Sequence, residues 1–289
     1  MSDGQPVTRD ASPVTDRMIQ RSRKTPVRGF KSHLFTTWVM FSLFLFVGFA
    51  VLLILLDIAY VNRESFYEAL RSPEIWAAAK LSIVSSVTTV VIVMLFAIPM
   101  GYGLSRYQFP GHTLVDSIVD IPIVFPPLII GLSLLIFFRT GFGIWLENHG
   151  IRFVYQPAGI VLCQFLTAAS FGIRTVNTTF DRIDPRTEHV ALTLGCTQWG
   201  AFFRIALPTA RNGIVAGAIL TWARAFGIFG PLMVFVGAVR MRTEVLPTTI
   251  YLEQSIGRIE VALAVAVIMI AIATIALVAI RLLRLRYEF

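Results

Sequence analysis

The sequence predicts an all-α, polytopic membrane protein with six transmembrane helices, and two observations carry this prediction. Hydrophobic residues make up 56% of the 289 residues and charged residues only 15%, with a mean hydropathy of +0.73. Soluble domains usually have about 25% charged residues, so this chain is too apolar for one. Its apolar runs also approach the roughly 20 residues that a helix needs to cross about 30 Å of hydrocarbon.

The six predicted crossings are spread over the whole chain. Five are uncharged runs, at Leu34 to Leu56, Leu81 to Ser105, Ile121 to Phe138, Phe153 to Ile173 and Val261 to Ile280. Another run, from about Gly213 to Val239, is interrupted by Arg224. The first long run is too long for a cleavable signal peptide and residues 1–33 contain no apolar core, so we expect no such peptide.

Basic residues predict the orientation. The side with residues 1–33, the connector at Arg106, the loop 179–212 and the C-terminal end has 15 Lys and Arg, against 8 on the other side. Cytoplasmic loops are usually the richer in Lys and Arg, so both termini are predicted to be cytoplasmic. The formal charge of +8 is then mainly a topology signal, and no nucleic-acid partner is expected.

Four segments follow from these runs. Residues 1–33 are predicted to be a basic cytoplasmic tail attracted to anionic headgroups, with a regulatory or partner-binding role as the alternative. Residues 34–75 hold the first transmembrane helix and an outer loop with a short surface helix. Residues 76–285 form the core, including a polar loop at 184–208, and residues 286–289 form a cytoplasmic end.

The loop 184–208 is predicted to form two short helices joined by a hinge. Asp184 and Pro185 are typical of a helix start, because a carboxylate accepts amide hydrogens of the first turn and proline needs no donor there. Gly195 is typical of a residue that ends a helix in the left-handed conformation. Thr197 can cap the second helix.

The two helices are expected to differ in their surfaces. The first is expected to carry Arg186 and Glu188 into water. The second is expected to end at Pro208 and to present one bulky apolar ridge. The ridge residues recur at helical spacing and are Trp199, Phe202, Phe203 and Ala206.

The spacing of this loop resembles the EAA loop of binding-protein-dependent ABC importer permeases, in which Glu-Ala-Ala precedes Gly and, further on, Ile, one residue and Leu-Pro. The residues that this resemblance points to are Glu188, His189, Ala191, Gly195, Trp199, Phe202, Ile205, Leu207 and Pro208. His189 occupies the glutamate position and Val190 the first alanine position, while Glu188 lies one residue early. The resemblance implies a coupling helix that docks on a cytoplasmic ATPase; the alternative is a helix lying on lipid headgroups.

Other segments resemble permeases for molybdate, tungstate and sulfate. They are DIPIVFPPLIIGL at 120–132, TWARAFGIFGPLMVFVG at 221–237 and LPTTIYL at 246–252. The resemblance covers roughly residues 76–285, and Ile228 stands where many of these permeases have an acidic residue. Pro126 and Pro127 are expected to kink a membrane helix, either in a pathway or simply for packing.

Arg224 is the main candidate for a translocation path. The full set of candidate path residues is Arg224, Pro126, Pro127, Gly131, Gly227 and Gly230. An arginine within a membrane run costs about 2.5 to 3.5 kcal/mol, so Arg224 must face protein, a partner or water, where it can donate to a tetrahedral oxyanion. The alternative is a structural role, either paired with a carboxylate such as Asp120 or at a seam between subunits. Arg174, Asp116 and Glu260 lie near predicted helix ends and are expected to reach water.

The chain lacks the sequence motifs that other classes of function need. No Gly-Lys dipeptide occurs, so there is no phosphate-binding P-loop and ATP hydrolysis is expected in another subunit. Neither Gly-x-Ser-x-Gly nor His-Glu-x-x-His occurs, which argues against a membrane enzyme. The four histidines are scattered, so neither a metal site nor a cofactor is predicted. Cys163 and Cys196 are expected to lie apart without a disulfide.

These patterns predict the permease subunit of an ATP-driven importer with a type-I, MetI-like core in a bacterial or archaeal inner membrane. The resemblance implies three partners: a cytoplasmic ABC ATPase dimer, a second permease subunit that is another copy of the chain, as a homodimer, or a close paralogue, and an extracytoplasmic solute-binding protein. An oxyanion such as molybdate, tungstate, sulfate or thiosulfate is the expected cargo, with ferric ion or a polyamine as alternatives. An ATP-independent channel or secondary carrier is the alternative of another class, disfavoured because no repeated halves are apparent.

Overall fold

The computed structural model describes the backbone of residues 30–285 and the side chains of residues 35–280 and Leu282. Within this part, the regular elements are all helical. They are α1 (Phe30–Tyr60), α2 (Arg63–Arg71), α3 (Pro73–Arg106), α4 (His112–Val124), α5 (Pro127–Phe138), α6 (Gly141–Asn148), α7 (Pro157–Asp181), α8 (Arg186–Thr193), α9 (Gln198–Ala201), a π-helical segment (Phe202–Ala206), α10 (Leu207–Phe226), α11 (Gly230–Phe235), α12 (Leu246–Ser255) and α13 (Ile259–Leu285). Nearly all of the predicted tail and the predicted end at 286–289 lie outside the described residues.

The chain divides after Leu56 into two compact units, and the described part of the first is most of α1. Phe35–Tyr60 is a helical stretch of 26 residues that is long and apolar enough to cross a membrane. Its apolar side chains are exposed all round the helix, which is typical of a segment in contact with lipid. The first predicted crossing is therefore confirmed as a helix of sufficient length.

The second unit is built around α3 and α7, which share the most extensive helix contact, with α10 packed against both. Glycines permit the close approach. A Cβ on Gly101 of α3 would lie 2.8 Å from the backbone nitrogen of Asn177, and one on Gly213 of α10 would lie 2.1 Å from Thr179 Oγ1. Small residues at such contacts let helix backbones pack closely, as in other membrane bundles.

A buried polar network ties these three helices together. Gln164 of α7 accepts a hydrogen bond from Thr89 Oγ1 (2.9 Å) and donates to Ser85 Oγ (3.2 Å) and to the carbonyl oxygen of Ala225 (3.1 Å). Ala225 lies in the last turn of α10, where carbonyl groups lack partners within the helix. Gln164, itself only 2% exposed, therefore satisfies one carbonyl group at the end of α10.

The all-α membrane fold is confirmed, with four spans by length and composition among the described residues. They are Phe35–Tyr60, Pro73–Arg106, Pro157–Asp181 and Ile259–Ile280. A fifth is obtained if α4 and α5 count as one span, although the two are bent by 109°. The break lies at Pro126 and Pro127, because proline disfavours helix in the residue before it and starts a new helix readily. The crossing predicted at 121–138 is thus two helices.

The crossing predicted from Gly213 to Val239 is also divided. α10 ends at Phe226, Gly227 caps it, and the short α11 begins at Gly230. Neither helix by itself has the length and hydropathy of the four spans above. This division accounts for the difference from the six crossings expected.

Ion pairs join several elements at the end of the core where α3 begins. Arg240 pairs with Glu74 of α3 and, at 2.8 Å, with Glu253 of α12. Arg258 pairs with Glu68 of α2 and, at 3.5 Å, with Glu253. The turn before α13 is therefore fastened to α2 and α12, and the loop that carries Arg240 is fastened to α3 and α12.

Candidate functional site

The elbow, which we define as residues 184–208, begins as the sequence predicts. Asp184 Oδ1 accepts a hydrogen bond from the backbone N–H of Arg186 at 2.9 Å, and α8 follows directly. Pro185 precedes the helix in a helical conformation and needs no donor there. Asp184 and Pro185 are thus confirmed as a helix start.

The end of α8 is a complete left-handed cap. Gly195 has a φ of 88°, a conformation that costs other residues energy. The N–H of Cys196 donates to the carbonyl oxygen of Ala191 and the N–H of Gly195 to that of Leu192, each at 3.0 Å. These two bonds form the Schellman motif, so the helix end predicted at Gly195 is confirmed.

The second helix starts as predicted but does not end at Pro208. Thr197 Oγ1 accepts a hydrogen bond from the N–H of Gly200 at 3.1 Å, which confirms it as the cap. The chain then passes through the π-helical segment into α10 without a break. Here the N–H of Leu207 reaches back five residues to Phe202, and the wider turn accommodates a proline ring that would clash in an ordinary helix.

The predicted apolar ridge is split by this wider turn. Trp199 (73% exposed) and Phe203 (54% exposed) stack with ring centroids 5.8 Å apart and face outward. Phe202 is half-buried and Ala206 fully buried. Other exposed apolar residues lie on α8 and just after it. We call the exposed apolar residues of the elbow together the apolar elbow face: Val190, Leu192, Leu194, Trp199 and Phe203.

Glu188 does not point into water as expected, because it is only 5% exposed. Its Oε2 accepts a hydrogen bond from Tyr102 Oη at 2.6 Å, and its Oε1 accepts one from Arg106 Nε at 3.0 Å. Both partners are on α3, more than 80 residues away in sequence. In the sequence, Arg106 contributes only to the count of basic residues that predicts the orientation, and no local pattern indicates its pairing with Glu188.

The remaining elbow residues lie on both sides of this contact. His189 and Pro208 are exposed, whereas Ala191, Ile205 and Leu207 are half-buried. His189, which occupies the family's glutamate position, therefore faces outward while the neighbouring glutamate is buried. The elbow combines an exposed apolar surface with a buried charged anchor.

Several candidate path residues meet where α5 packs against α11. A Cβ on Gly131 would lie 2.6 Å from the carbonyl oxygen of Pro231, and one on Gly230 would lie 3.6 Å from the backbone nitrogen of Leu128. Pro127 is the first residue of α5 and directly precedes Leu128. The two broken helices thus pack backbone to backbone, with Gly131 required by the close approach.

Arg224 remains apart from every carboxylate of the residues that the structure describes. It is exposed, and its guanidinium carbon lies 5.3 Å from the ring centroid of Phe171. The pairing with Asp120 considered from the sequence is wrong, because Asp120 pairs with Arg174. A cation over an aromatic face is only partly compensated, which leaves the Arg224 donors open to another acceptor.

Arg174 was expected to reach water, but it holds α4 onto α7. It donates to Asp116 Oδ1 at 2.7 Å and to both carboxylate oxygens of Asp120 at 2.5 Å. α4 has no fully buried residue, so this pair of contacts is a main attachment of α4. The signal in the sequence was the spacing of four between the two aspartates, which puts them on one helix face.

No group of three or more potential metal ligands occurs among the described residues. Cys163 is buried in α7 and Cys196 is half-buried in the elbow, and both thiols are free.

Residues 93–288 match the family described as the inner membrane component of binding-protein-dependent transport systems. The chain is 29% identical over 272 residues to the sulfate transport system permease protein CysT of Escherichia coli, covering 93% of this chain and 98% of that protein. It is 35% identical over 185 residues to the molybdenum transport system permease protein ModB of Escherichia coli, covering 63% and 80%.

A solved structure is also similar in fold. It is a bacterial alginate ABC transporter in complex with a periplasmic protein that binds an alginate pentasaccharide. The TM-score is 0.67 at 17% identity, covering 86% of this chain and 91% of that one.

Proposed function

Because this chain belongs to the family of inner membrane components of binding-protein-dependent transport systems, we propose that it is the permease subunit of an ATP-driven importer for an oxyanion. The observation that carries this proposal is the elbow, which combines an exposed apolar face with a separate, buried ion pair. Such a surface suits a protein partner, and the family assigns that end of the molecule to an energy-supplying subunit.

The apolar elbow face is the proposed docking surface for a cytoplasmic ATPase. Trp199 and Leu194 are among its most exposed residues, and large apolar residues grouped on a surface mark interaction sites. Exposed aromatic residues of this kind contribute much of the binding free energy of protein interfaces. His189, exposed beside them, takes the place that the glutamate has in the family pattern.

ATP binding and hydrolysis belong to the partner, since the chain has no Gly-Lys dipeptide and so no P-loop. Closure of two ATPase subunits pushes on the elbow of each permease subunit. The elbow continues into α10 through the π-helical segment, and α10 packs on α3 and α7. Displacement of the elbow thereby reorients the helices around the path.

The cargo proposal rests on the relatives and on Arg224. CysT and ModB are named as sulfate and molybdenum permeases, and sulfate, molybdate, tungstate and thiosulfate are all oxyanions. Arg224 offers a guanidinium that pairs with no carboxylate of the described residues, and its positive charge attracts anions and repels cations. The proposed path passes Arg224 and the α5 to α11 contact, with Pro126, Pro127, Gly131, Gly227 and Gly230 setting its backbone. Ferric ion and polyamines fit a positive side chain poorly.

The proposed assembly places the chain in a bacterial or archaeal inner membrane. A second permease subunit, most simply a second copy, completes the path, and an extracytoplasmic solute-binding protein delivers the cargo. Both termini and the elbow lie on the cytoplasmic side. Specificity then lies mostly in the binding protein, so its affinities across sulfate, molybdate, tungstate, thiosulfate, ferric ion and spermidine identify the cargo.

Substitution of the apolar elbow face tests the docking proposal. We expect Trp199→Ala combined with Phe203→Ala to weaken binding of the ATPase subunit by about tenfold or more, because an interface hot spot contributes about 2 kcal/mol. The measurement is titration of purified permease with its ATPase subunit. Trp145→Ala, at an exposed tryptophan of α6 outside the elbow, is the matched control and should bind normally.

Unchanged ATPase affinity in the double variant would contradict the docking role. Uptake of cargo into proteoliposomes without ATP would instead support the alternative of a channel or secondary carrier.

A further inference from the structure

We propose that Arg106 is a positioning residue for energy coupling, because its side chain joins the elbow to both central helices of the core. This inference rests on the proposed function of the elbow. Arg106 is the last residue of α3, and nothing in the sequence around it distinguishes it from an ordinary basic residue at a helix end.

The guanidinium of Arg106 bonds in several directions at once, with its side chain only 10% exposed. Its Nε and Nη2 each lie 3.0 Å from Glu188 Oε1 on α8. Its Nη1 donates to the carbonyl oxygen of Phe180 at 3.0 Å, and its Nη2 donates to that of Ile183 at 3.1 Å. One rigid fork therefore connects α3, the end of α7 and the elbow.

The end of α7 is a suitable place for this charge. Carbonyl groups in the last turn of a helix lack partners within it and carry the negative end of the helix dipole. Phe180 lies in that turn and Ile183 just beyond it. Arg106 donates to both carbonyls while it neutralises Glu188.

The second oxygen of Glu188 completes the junction. Tyr102, one turn before Arg106 on α3, donates its hydroxyl to Glu188 Oε2 at 2.6 Å. The ring of Tyr102 meets Phe202 of the elbow edge to face at 4.8 Å and Phe180 of α7 at 5.3 Å. The ion pair is thus enclosed by aromatic rings, and separating a buried pair costs far more than separating an exposed one.

Chain connectivity explains why the junction matters. The elbow follows α7 directly and leads into α10, so both helices feel its movement through the backbone. α3 ends about 80 residues earlier, so it receives that movement through packing contacts with the elbow, α7 and α10 and not through the adjoining backbone. Arg106 with Glu188 is the charged part of this contact, and α3 is the helix that packs most extensively on α7.

Burial distinguishes the coupling role of Arg106 and Glu188 from the binding of the ATPase to the elbow. Glu188 and Arg106 lie beneath the elbow, whereas the apolar elbow face points outward. Substitution of the buried pair is therefore expected to leave ATPase binding intact while it loosens α3 from the elbow.

The test uses the complete transporter in proteoliposomes, with permease, ATPase subunit and binding protein. We expect Glu188→Gln and Arg106→Gln to retain the ATPase subunit and ATP hydrolysis, but to lower the cargo imported per ATP by about fivefold or more, a typical strength of coupling between sites. Arg106→Lys keeps the positive charge but not the planar guanidinium. We expect it to restore part of the cargo imported per ATP. Arg182→Gln, at an exposed arginine beyond the end of α7, is the matched control.

A wild-type ratio of cargo to ATP in Glu188→Gln and Arg106→Gln would overturn the proposal, as would loss of the ATPase subunit from these variants alone. Tyr102→Phe removes a single hydroxyl and decides the matter if the charged variants do not fold, since it should lower the same ratio to a smaller extent. Failure of the wild-type permease to bind any ATPase would instead refute the proposed function.

Discussion

Arg106, Arg174 and Arg224 differ in the groups that their guanidinium groups contact. Arg106 meets one buried carboxylate, Arg174 meets two half-exposed ones, and Arg224 lies over an aromatic ring. A buried charge is tolerated only when it is paired and hydrogen-bonded, so the first two serve structure directly. The N–H donors of the Arg224 guanidinium meet no carboxylate of the described residues, which is why the proposed path includes Arg224 and not the other two.

Glu244 is a carboxylate buried without a full set of partners. It is 3% exposed, and one of its oxygens has no hydrogen-bond partner among the described residues. Burial raises the pKa of its carboxyl, and Thr249 and Arg240 offset the effect only in part. The nearby carboxylates of Glu74 and Glu253 raise the pKa further.

Replacement of Glu244 by glutamine should stabilise the protein at neutral and higher pH. Because the folded pKa lies above the unfolded value of 4.5, the folded state holds this proton more tightly, and its stability falls as pH rises through that window. We expect Glu244→Gln to raise the Tm in detergent at pH 8 by about 2 °C or more, the effect of roughly 1 kcal/mol in a chain of this length.

Near pH 4 that gain in Tm should vanish, since the wild-type carboxyl is then protonated in both states. Glu64→Gln, at an exposed carboxylate of α2, provides the control. A lower Tm for Glu244→Gln at pH 8 would mean that its charge is paired in the folded protein, contrary to this account.

At the scale of elements, the core is interrupted twice. α4 and α5 are separated at Pro126 and Pro127, and α10 and α11 are separated after Gly227. The two later pieces, α5 and α11, pack against each other at Gly131. Broken helices in a membrane protein must find partners for their free backbone groups, and packing against each other within the protein is one way to do so.

Gly131→Ala tests how tightly these two helices meet. The added Cβ would lie 2.6 Å from the carbonyl oxygen of Pro231, so a backbone must shift. Overpacking of this kind costs about 1 to 3 kcal/mol, and we expect the Tm in detergent to fall. Gly103→Ala is the control, because a Cβ there meets no atom within 4 Å and alanine favours helix, so its Tm should not fall.

At the scale of the whole core, charged contacts lie at opposite ends. The elbow end has the junction of Arg106 and Glu188, and the end where α3 begins has the cluster around Arg240 and Arg258. Elements at each end are thus fastened to α3, which runs the length of the core.

The orientation of the chain in the membrane can be tested by cysteine labelling. In a background of Cys163→Ser and Cys196→Ser, we expect Gln198→Cys in the elbow to react with an impermeant maleimide only after the cytoplasmic side is opened. Asn148→Cys at the end of α6 should react in intact cells, because it belongs to the side predicted to face outward. The measurement is labelling before and after membrane permeabilisation. The reverse pattern would place the elbow outside the cell and refute ATPase docking.

Local signals predicted the parts of this protein that local forces decide. Membrane helices followed from apolar length, because lipid requires every backbone group to pair within its segment. The start and hinge of the elbow followed from Asp184, Gly195 and Thr197, whose effects reach only a few residues along the chain. Pro208 was misjudged because a π-helical turn just before it accommodates its ring.

The sequence by itself determined the compartment, the helical class, the hinge and the family pattern of the elbow. Only the tertiary structure decided that Glu188 is buried against Arg106 and that Asp120 pairs with Arg174 and not with Arg224. It also decided that the predicted apolar ridge is partly exposed and partly buried. The physical reason is range. Capping and hydropathy act between neighbours in the chain, whereas an ion pair depends on which distant helices pack together, and that is a property of the whole fold.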